Sequence, residues 1–521
     1  MKHLSALLIL LTVLPWAAHA QSGELDPDFA TDGRFVLDIP GSNTYLGPVI
    51  VQPDDRILVL GNSEVPGISN SGLLVRLMPD GTLDPLFGEG GVASTAEWDE
   101  GDGQFWAMDL LSDGSILVAM SGGPGGGGKL VKYLGDGTLD AGFGIGGVVQ
   151  LANGSIRCLS IASNGAIYAA GYSLSGLSMV ARFLADGTPD DTYANSGFNA
   201  VDLTDGNQSV SCMDVFSDGS VLVGGSITGP APDFVSDCYV LRFDPEGALD
   251  PDFHDAGIHI FSMAPDDGEG VNLVKFLADG RTVIAGYAHQ PNFVTETFVL
   301  RGSFTDEPDP TWGGDGSVVV GHGSGGVYIA PDGSCMHGTF TYSGLDVGIV
   351  VQKYLTSGTP DASFGSNGLS LIPIPAPYIS AIVSPKVVQP NGMLLLSGTF
   401  YGPETEPGVN PQYGMVMRLI NDFNTGMADA PMDLRAVVYP NPTTERAEFT
   451  FELEKEERLT AEIHDAQGKL VRTLFAGRLC PAGPYRETVD LGGLCDSHYN
   501  LLLSNGAGRT SFQLTKASAR P

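Results

Sequence analysis

One short pattern recurs through most of this sequence: a basic residue, an Asp eight positions later, and an aromatic residue three positions after that. The stretch LVRLMPDGTLDPLFGEGG at residues 74–91 is nearly copied as LVKYLGDGTLDAGFGIGG at residues 130–147. The complete sets are Arg76/Asp84/Phe87, Lys132/Asp140/Phe143, Arg182/Asp190/Tyr193, Arg242/Asp250/Phe253, Arg301/Asp309/Trp312 and Lys353/Asp361/Phe364. A repeated unit presents the same structural contacts in every copy, whereas a catalytic residue need not recur. We therefore interpret the pattern as a structural ion pair with a turn Asp, beside an aromatic residue that fills space between repeats.

A second recurring element is a polar turn followed by a short apolar strand. Its copies are PDDRILVLG (53–61), SDGSILVAM (112–120), SNGAIYAAG (163–171), SDGSVLVGG (217–225), ADGRTVIAG (278–286), PDGSCMHG (331–338) and PNGMLLLSG (390–398). Asp-Gly and Asn-Gly before β-branched residues are typical of hairpins, so each unit is expected to hold four strands. Four strands at a period of 50 to 60 residues, with Gly-rich turns, predict propeller blades. The predicted fold is all-β, with a seven-bladed β-propeller of four-stranded blades over residues 21–420.

Two incomplete copies of the pattern lie at the two ends of this region. Asp26 and Phe29 have no basic partner upstream, and Arg418 has no Asp eight positions on. Together they make one complete set, which predicts that strand 33–39 completes the last blade and closes the ring. We therefore expect Asp26 to lie near Arg418. We expect pairs of this kind to be exposed and to contribute about 0–1 kcal/mol each.

The basic residue followed by DGTLDxxFG resembles the repeat of the delta-60 family, and the resemblance spans residues 25–420. The set that ends at Trp312 departs from the motif, since it lacks the Asp-Gly-Thr. The resemblance implies a propeller-like β architecture. It implies no settled biochemical activity.

The two ends of the chain differ from the repeat region. Residues 1–20 combine a short polar start, an apolar run over 4–16 and Ala18-His19-Ala20, which is typical of a secretory signal peptide. No later segment is long enough to span a membrane. Basic and acidic residues number 14 and 49 over 21–431 but 11 and 12 from Met432 onward. This break predicts a linker at 421–434 and a second domain at 435–521, whose alternating pattern favours a small Ig-like β-sandwich.

Residues 437–516 resemble the C-terminal sorting domain of type IX secretion substrates. The resemblance rests on Pro440-Asn441-Pro442, Ile463-His464-Asp465, Gly468-Lys469 and Leu470-Val471. It implies a Bacteroidetes-type bacterium, a secretion machinery as partner, and release from the cell or display on its outer surface. The alternative is an adhesive or purely structural Ig-like module.

The net charge of −35 excludes the classes of partner that need a basic surface. Nucleic acids and anionic membranes attract positive proteins, so we expect neither as a partner. Six cysteines are few for 521 residues, which argues against a disulfide scaffold. Cys480 and Cys495 are a possible disulfide within the second domain. The other four, which we expect to be buried thiols, are Cys158, Cys212, Cys238 and Cys335.

No catalytic motif is present, and we predict no cofactor. The histidines show no metal-ligand spacing. Calcium remains a possibility because segments 26–33 and 98–103 are acidic and Gly-rich, although neither has the ligand alternation of an EF-hand. The favoured function is a monomeric, exported, non-catalytic module that binds a glycan or a protein. The alternatives are a propeller enzyme acting on extracellular polysaccharide and a structural adhesin.

Overall fold

A computed structural model of the chain describes residues 22–517. It leaves out 66–68, 96–102, 122–126, 152–153, 163, 204–205, 230–234, 264–267, 278, 291–293, 304–306, 324, 344–345, 406–408, 422–435, 442, 454–456, 466–469, 495–496 and 505–508. The predicted signal segment and all of the predicted linker except Asn421 lie outside the described residues. The described secondary structure consists of antiparallel β-sheets, most of them four-stranded, which confirms the predicted all-β class.

Residues 34–419 form seven four-stranded sheets. One sheet contains β2 (Asn43–Val51), β3 (Ile57–Val65), β4 (Ser69–Leu77) and β5 (Val92–Ser94). The next contains β6 (Gln104–Leu110), β7 (Ile116–Ser121), β8 (Lys129–Tyr133) and β9 (Val148–Gln150). The third contains β10 (Gly154–Ile161), β11 (Ile167–Ser173), β12 (Ser178–Phe183) and β13 (Phe198–Val201). The fourth contains β14 (Asn207–Val215), β15 (Val221–Thr228), β16 (Ser236–Phe243) and β17 (Ile258–Phe261). The fifth contains β18 (Glu269–Phe276), β19 (Thr282–His289), β20 (Thr295–Gly302) and β21 (Ser317–His322). The sixth contains β22 (Gly326–Ile329), β23 (Cys335–Ser343), β24 (Asp346–Tyr354) and β25 (Leu369–Pro373). The seventh contains β26 (Ser380–Val388), β27 (Leu394–Tyr401), β28 (Gln412–Leu419) and β1 (Arg34–Leu37).

The Asp-Gly turns join the first two strands of these sheets. In the turn between β6 and β7, Gly114 has a φ of 83°, which glycine adopts without steric cost. The Asp113 carboxylate accepts a hydrogen bond from the Ser115 backbone N–H at 2.9 Å. The Asp side chain thus accepts a hydrogen bond from a backbone N–H that the tight turn leaves without a partner. This is why the Asp-Gly dipeptide is typical of hairpin turns.

The first strands of the sheets converge on a common centre. The term first strands refers to β2, β6, β10, β14, β18, β22 and β26. β10 contacts β6 and β14, and β18 contacts β14 and β22. β26 contacts β22 and β2, and β2 contacts β6, so the series of first strands closes on itself. In the seventh sheet the fourth position is filled by β1 from the other end of the region, with Arg34 opposite Met417.

The hydrophobic core lies between neighbouring sheets. One cluster combines Leu58 and Phe87 of the sheet β2–β5 with Phe105, Met108 and Ile116 of the next sheet. No single sheet buries its own apolar face, so each depends on its neighbours for stability.

Residues 436–516 form a separate pair of sheets. One contains β29 (Ala436–Tyr439), β30 (Arg446–Leu453) and β33 (Gly483–Asp490). The other contains β31 (Glu457–Asp465), β32 (Leu470–Cys480), β34 (Ser497–Ser504) and β35 (Arg509–Lys516). Phe449 and Val489 of the first sheet share one core with Ile463, Leu501 and Leu514 of the second. The two sheets therefore bury a common apolar face.

The described residues form no helix that is long and apolar enough to span a membrane.

Candidate functional site

The structure brings together the basic residue and the Asp of every repeat set, including the set divided between the two ends. The N–O distances are 2.8 Å for Arg76–Asp84, 2.9 Å for Lys132–Asp140, 2.8 Å for Arg182–Asp190, 3.1 Å for Arg242–Asp250, 2.8 Å for Arg301–Asp309, 3.0 Å for Lys353–Asp361 and 2.6 Å for Arg418–Asp26.

The set at Arg301 shows how one guanidinium engages several partners. Its Nε lies 2.8 Å from the Asp309 carboxylate, and its Nη2 donates to the Thr311 hydroxyl at 2.8 Å. Its Nη1 donates to the Thr356 carbonyl of the next sheet at 2.7 Å. The guanidinium also lies 4.9 Å from the centre of the Trp312 ring, in the range of a cation–π contact. One side chain thus links a turn, an aromatic ring and the neighbouring sheet.

The link to the next sheet recurs in four arginine sets. In each, Nη1 donates to the carbonyl that lies three residues after the next basic residue of the repeat. A guanidinium can donate to the Asp and to this carbonyl through different nitrogens, whereas lysine carries all of its donors on one nitrogen. The links run from Arg76 to Gly135, Arg182 to Pro245, Arg301 to Thr356 and Arg418 to Pro79.

The aromatic residue of a set packs on the turn glycine of the following sheet. A Cβ added at Gly187 would lie 2.7 Å from Cζ of Phe143, and one at Gly81 would lie 2.7 Å from Cε2 of Phe29. Gly187 also has a φ of 85°. The glycine of DGT is therefore required twice, by its backbone conformation and by the ring against it.

The expectation that the repeat pairs are exposed is wrong. The side-chain exposures are 1% for Arg242, 2% for Arg301 and 3% for Lys353. In the four linked arginine sets the next sheet and the aromatic ring cover the pair, and neither is visible in the spacing of a single repeat. Lys132 and Asp140 are less covered, with 12% and 23% of their side chains exposed. Breaking a buried pair leaves an uncompensated charge, which typically costs about 3–5 kcal/mol.

These surroundings lower the pKa of two of the repeat carboxylates, Asp190 and Asp309. A hydrogen bond from the Thr192 hydroxyl lowers the pKa of Asp190, and the Arg182 guanidinium adds to the effect. Burial opposes the ionisation of Asp309, but hydrogen bonds from Thr311 and Arg281 hold its pKa well below its usual range. The repeat motif thus has an architectural role.

The first strands carry a second recurring feature, a β-bulge. Five first strands have one extra, unpaired residue, which is Trp106 in β6, Arg157 in β10, Ser211 in β14, Asn272 in β18 and Lys386 in β26. In β2 the register shifts across two residues, between Leu46 and Val49. The opposite edge of each first strand faces the centre of the ring, and a bulge turns a side chain away from the strand ladder. Ser211 and Asn272 are exposed. We call these five residues the axial bulges.

Sequence reasoning missed the axial bulges, although a signal was present. Four of them precede the Asp or Asn of the polar turn by seven positions, which is the distance from Trp106 to Asp113 and from Ser211 to Asp218. The residue type at this offset changes from repeat to repeat, while the framework residues stay similar. Variation at a fixed place in a conserved frame is how repeat scaffolds present binding surfaces.

Arg157 and Trp106 are axial bulges of adjacent sheets and contact each other. The Arg157 guanidinium carbon lies 3.6 Å from the centre of the Trp106 ring and 5.7 Å from that of Tyr172. The Trp106 indole N–H donates to the Ser121 hydroxyl at 2.8 Å, which fixes the ring. Arg157 Nε is buried and has no hydrogen-bond partner among the described residues. No described carboxylate lies within ion-pair distance of this guanidinium.

Three residues after the bulges of β6 and β14, acidic side chains link successive first strands. The Asp109 carboxylate accepts from the Ile161 N–H at 2.7 Å, and the Asp214 carboxylate accepts from the Phe276 N–H at 2.6 Å. These acids satisfy backbone donors at the inner edge of the next sheet.

Lys386 is the axial bulge of β26. It is partly exposed, and no described residue accepts a hydrogen bond from its ammonium group. Burial of the ammonium group lowers the pKa of Lys386 from 10.5 to about 8.

The other predicted sites are placed as follows. Asp26, in the first acidic segment, is engaged with Arg418, and residues 98–102 of the second segment lie outside the described part of the chain. Among described residues no group of three or more His, Cys, Asp or Glu side chains is arranged to hold a metal. Cys480 is buried in the core of the second unit, but Cys495 is not described, so their pairing stays a prediction. Burial raises the pKa of the Cys158 thiol to about 12.

Comparison with known proteins supports the repeat architecture. A family model described as a domain of unknown function (DUF5122) beta-propeller matches residues 52–87 and 217–253. Each match runs from a polar turn to the aromatic residue of a repeat set, so the chain carries β-propeller repeats. No curated protein sequence matches the chain at a significant level.

Several solved structures resemble the chain at low sequence identity. A fungal alcohol oxidase of the AA5 family in complex with copper is 12% identical, with a TM-score of 0.40, covering 95% of this chain and 100% of that chain. A subtype N11 neuraminidase-like protein of A/flat-faced bat/Peru/033/2010 (H18N11) is 13% identical, with a TM-score of 0.36, covering 77% and 97%. An aldose sugar dehydrogenase from Streptomyces coelicolor in its PQQ-bound form is 9% identical, with a TM-score of 0.26, covering 74% and 98%. These likenesses carry no argument about activity.

Proposed function

We propose that this protein is an exported, non-catalytic binding and scaffold module. Its ligand-binding part is a seven-bladed β-propeller of the delta-60 repeat type. A C-terminal Ig-like sorting domain of the type IX kind delivers it to the outer cell surface or the medium. The ligand, a glycan or a protein, meets the propeller at the axial bulges.

The axial bulges are the observation that carries this proposal. The repeat sets hold the same contacts from sheet to sheet, whereas the bulges present an indole, a guanidinium, a hydroxyl, an amide and an ammonium group at the centre of the ring. A rigid frame with varied side chains at one end is the arrangement of a recognition surface. The charged and aromatic members supply directional contacts.

The first-strand carboxylates favour binding over hydrolysis. A polysaccharide-cleaving enzyme needs two acids that converge on a glycosidic bond at about 5–10 Å. The acids of the described first strands are Asp109, Asp214 and Glu269. Each accepts a backbone N–H hydrogen bond, from Ile161, Phe276 and Met263 respectively. Their hydrogen bonding supports a structural role.

Two features support export and surface delivery. Residues 1–20 have the composition of a secretory signal peptide. Two sheets around one core support an Ig-like architecture for residues 435–521, whose sequence resembles sorting domains.

Binding is tested with the chain from Gln21 to Pro521 on a broad glycan and polysaccharide array, with calcium and again with EDTA. We expect binding that is lost in a variant carrying Trp106→Ala, Ser211→Ala and Asn272→Ala. The matched control carries Leu86→Ala and Ile145→Ala, which alter exposed apolar residues of the repeat turns. Binding lost equally in the control, or release of cleaved product, would contradict the proposal.

Delivery is tested by fusing residues 435–521 to a periplasmic reporter in a bacterium with a type IX secretion system. We expect the reporter at the cell surface or in the medium. Retention in the periplasm would show that this domain is an ordinary structural module.

A further inference from the structure

We propose that the axial site binds a carboxylated saccharide, a uronic acid unit, through the guanidinium of Arg157. This inference rests on the proposed binding function and names the ligand class for the same surface. We call the group formed by Arg157, Trp106 and Tyr172 the arginine shelf.

The shelf holds its guanidinium in a defined plane. Trp106 lies 3.6 Å from the guanidinium carbon and Tyr172 5.7 Å. The Tyr172 hydroxyl donates to the Val210 carbonyl at 3.2 Å, and the Trp106 indole is held by Ser121. Both rings are therefore anchored by their polar ends. A preorganised guanidinium loses little entropy when its N–H groups bind a ligand, which favours two-point recognition of a carboxylate.

Within the described part of the chain no carboxylate pairs with this guanidinium, although acids outnumber basic residues by 61 to 26 in the sequence. Other arginines of the propeller show what usually happens: Arg56 is paired with Asp54 at 2.8 Å, and Arg281 with Asp309 at 2.7 Å. Arg157 has no such partner among the described residues, and its Nε is buried without an acceptor. The two Nη groups are not among the buried atoms, so they are the donors that an external carboxylate can engage.

The remaining axial bulges suit the rest of a sugar. Ser211 lies on the sheet next to that of Arg157, and Asn272 lies on the following one. Both are exposed, and both offer hydrogen-bond donors and acceptors to hydroxyl groups. The negative net charge repels anions at long range, so attraction by a diffuse field is not available. Binding of an acidic saccharide must depend on local contacts such as those of the shelf.

The test compares two ligands that differ at their carboxyl groups, which are charged in one and esterified in the other, using the chain from Gln21 to Pro521. Trigalacturonate and its fully methyl-esterified form are titrated by calorimetry and by tryptophan fluorescence. Fluorescence is suitable because Trp106 lies against the Arg157 guanidinium that would bind the ligand. We expect trigalacturonate to bind at least tenfold more tightly than the ester. Arg157→Ala should reduce its affinity at least tenfold, and Arg157→Lys should restore only part of it, because lysine keeps the charge but loses the fork.

The matched control is Arg486→Ala, which removes the same charge from an exposed position in the second unit. Thermal melts of each variant establish that the fold is kept, and Trp106→Phe should abolish the fluorescence response while preserving binding. Equal affinity for the two ligands, or unchanged affinity in both Arg157 variants, overturns the inference. If trigalacturonate does not bind while another ligand on the array does, the inference fails and the proposed binding function stands.

Discussion

Asp26 and Arg418 form a 2.6 Å ion pair across a sequence separation of 392 residues. The Asp26 backbone N–H also donates to the Arg418 carbonyl at 2.9 Å, the bond that Asp84 makes to Arg76 inside an uninterrupted repeat. The two ends of the repeat region thus rebuild one copy of the motif from separate pieces. Ring closure depends on this pair and on the ladder between β1 and β28.

We predict that Asp26→Asn destabilises the protein by about 3–5 kcal/mol, because it leaves the buried Arg418 guanidinium without its counter-charge. Urea unfolding monitored by circular dichroism measures the change. Asp28→Asn, at an exposed position two residues away, is the control and should alter stability by less than about 0.5 kcal/mol. A double-mutant cycle with Arg418→Met should give a favourable coupling energy between the two side chains. Additive effects of the two changes would refute the closure role.

Two glycines with the same backbone conformation separate the roles of the turn glycine. Gly187 and Gly165 have φ values of 85° and 84°, but only Gly187 lies against the Phe143 ring. Gly165→Ala should cost about 1 kcal/mol for its left-handed conformation alone. Gly187→Ala should lower the stability by a further amount of about 1–3 kcal/mol, because the new methyl group overpacks the interface between sheets. Equal losses in thermal denaturation would mean that the ring contact is unimportant.

The lysine sets offer a gain-of-stability test. Lys132 contacts Asp140 at 2.9 Å but has no second arm to donate to the next sheet. Lys132→Arg is expected to add that link and to stabilise the protein by about 1 kcal/mol. The reverse exchange, Arg182→Lys, removes the bond to the Pro245 carbonyl and should destabilise by a similar amount. Chemical denaturation of both variants checks the pair, and opposite signs are required.

A buried histidine predicts a loss of stability in weak acid. His337 is fully buried, and burial, with a smaller effect of His322, lowers its pKa from 6.5 to about 4. His337 is therefore protonated near pH 6.5 in the unfolded chain but only near pH 4 in the folded protein. Stability should fall by about 3 kcal/mol as pH drops through this window. His337→Met should flatten this part of the stability profile; an unchanged slope between pH 6.5 and 4 would exclude His337 as its cause.

Lys386 is expected to react with amine reagents at lower pH than the other lysines. Its pKa of about 8 leaves roughly half of the group uncharged at pH 8, whereas a lysine near 10.4 is less than about 1% uncharged. Brief acetylation at pH 8 followed by peptide mapping should modify Lys386 ahead of Lys132. Labelling in the opposite order would show that its ammonium group is better solvated than the structure indicates.

The fixed spacing of the repeat residues was enough to predict most of the architecture. The spacing of Arg76, Asp84 and Phe87, and its return at each repeat, predicted four strands per unit and the meeting of Asp26 with Arg418. Such local patterns are readable because a turn Asp and a turn glycine serve the strands next to them in the chain. The burial of the pairs was not readable, because the covering carbonyl and glycine belong to the next sheet.

The sequence by itself determined which residues repeat, where the strands and turns lie, and that the two ends complete one unit. Only the tertiary structure decided what surrounds each repeat and which side chains meet at the centre. Trp106 and Arg157 stand 51 positions apart in different units, and a bulge turns each out of its strand ladder. Their contact depends on how adjacent sheets pack and where each ladder slips by one residue. Those outcomes follow from the sum of many weak interactions between sheets, which no local pattern records.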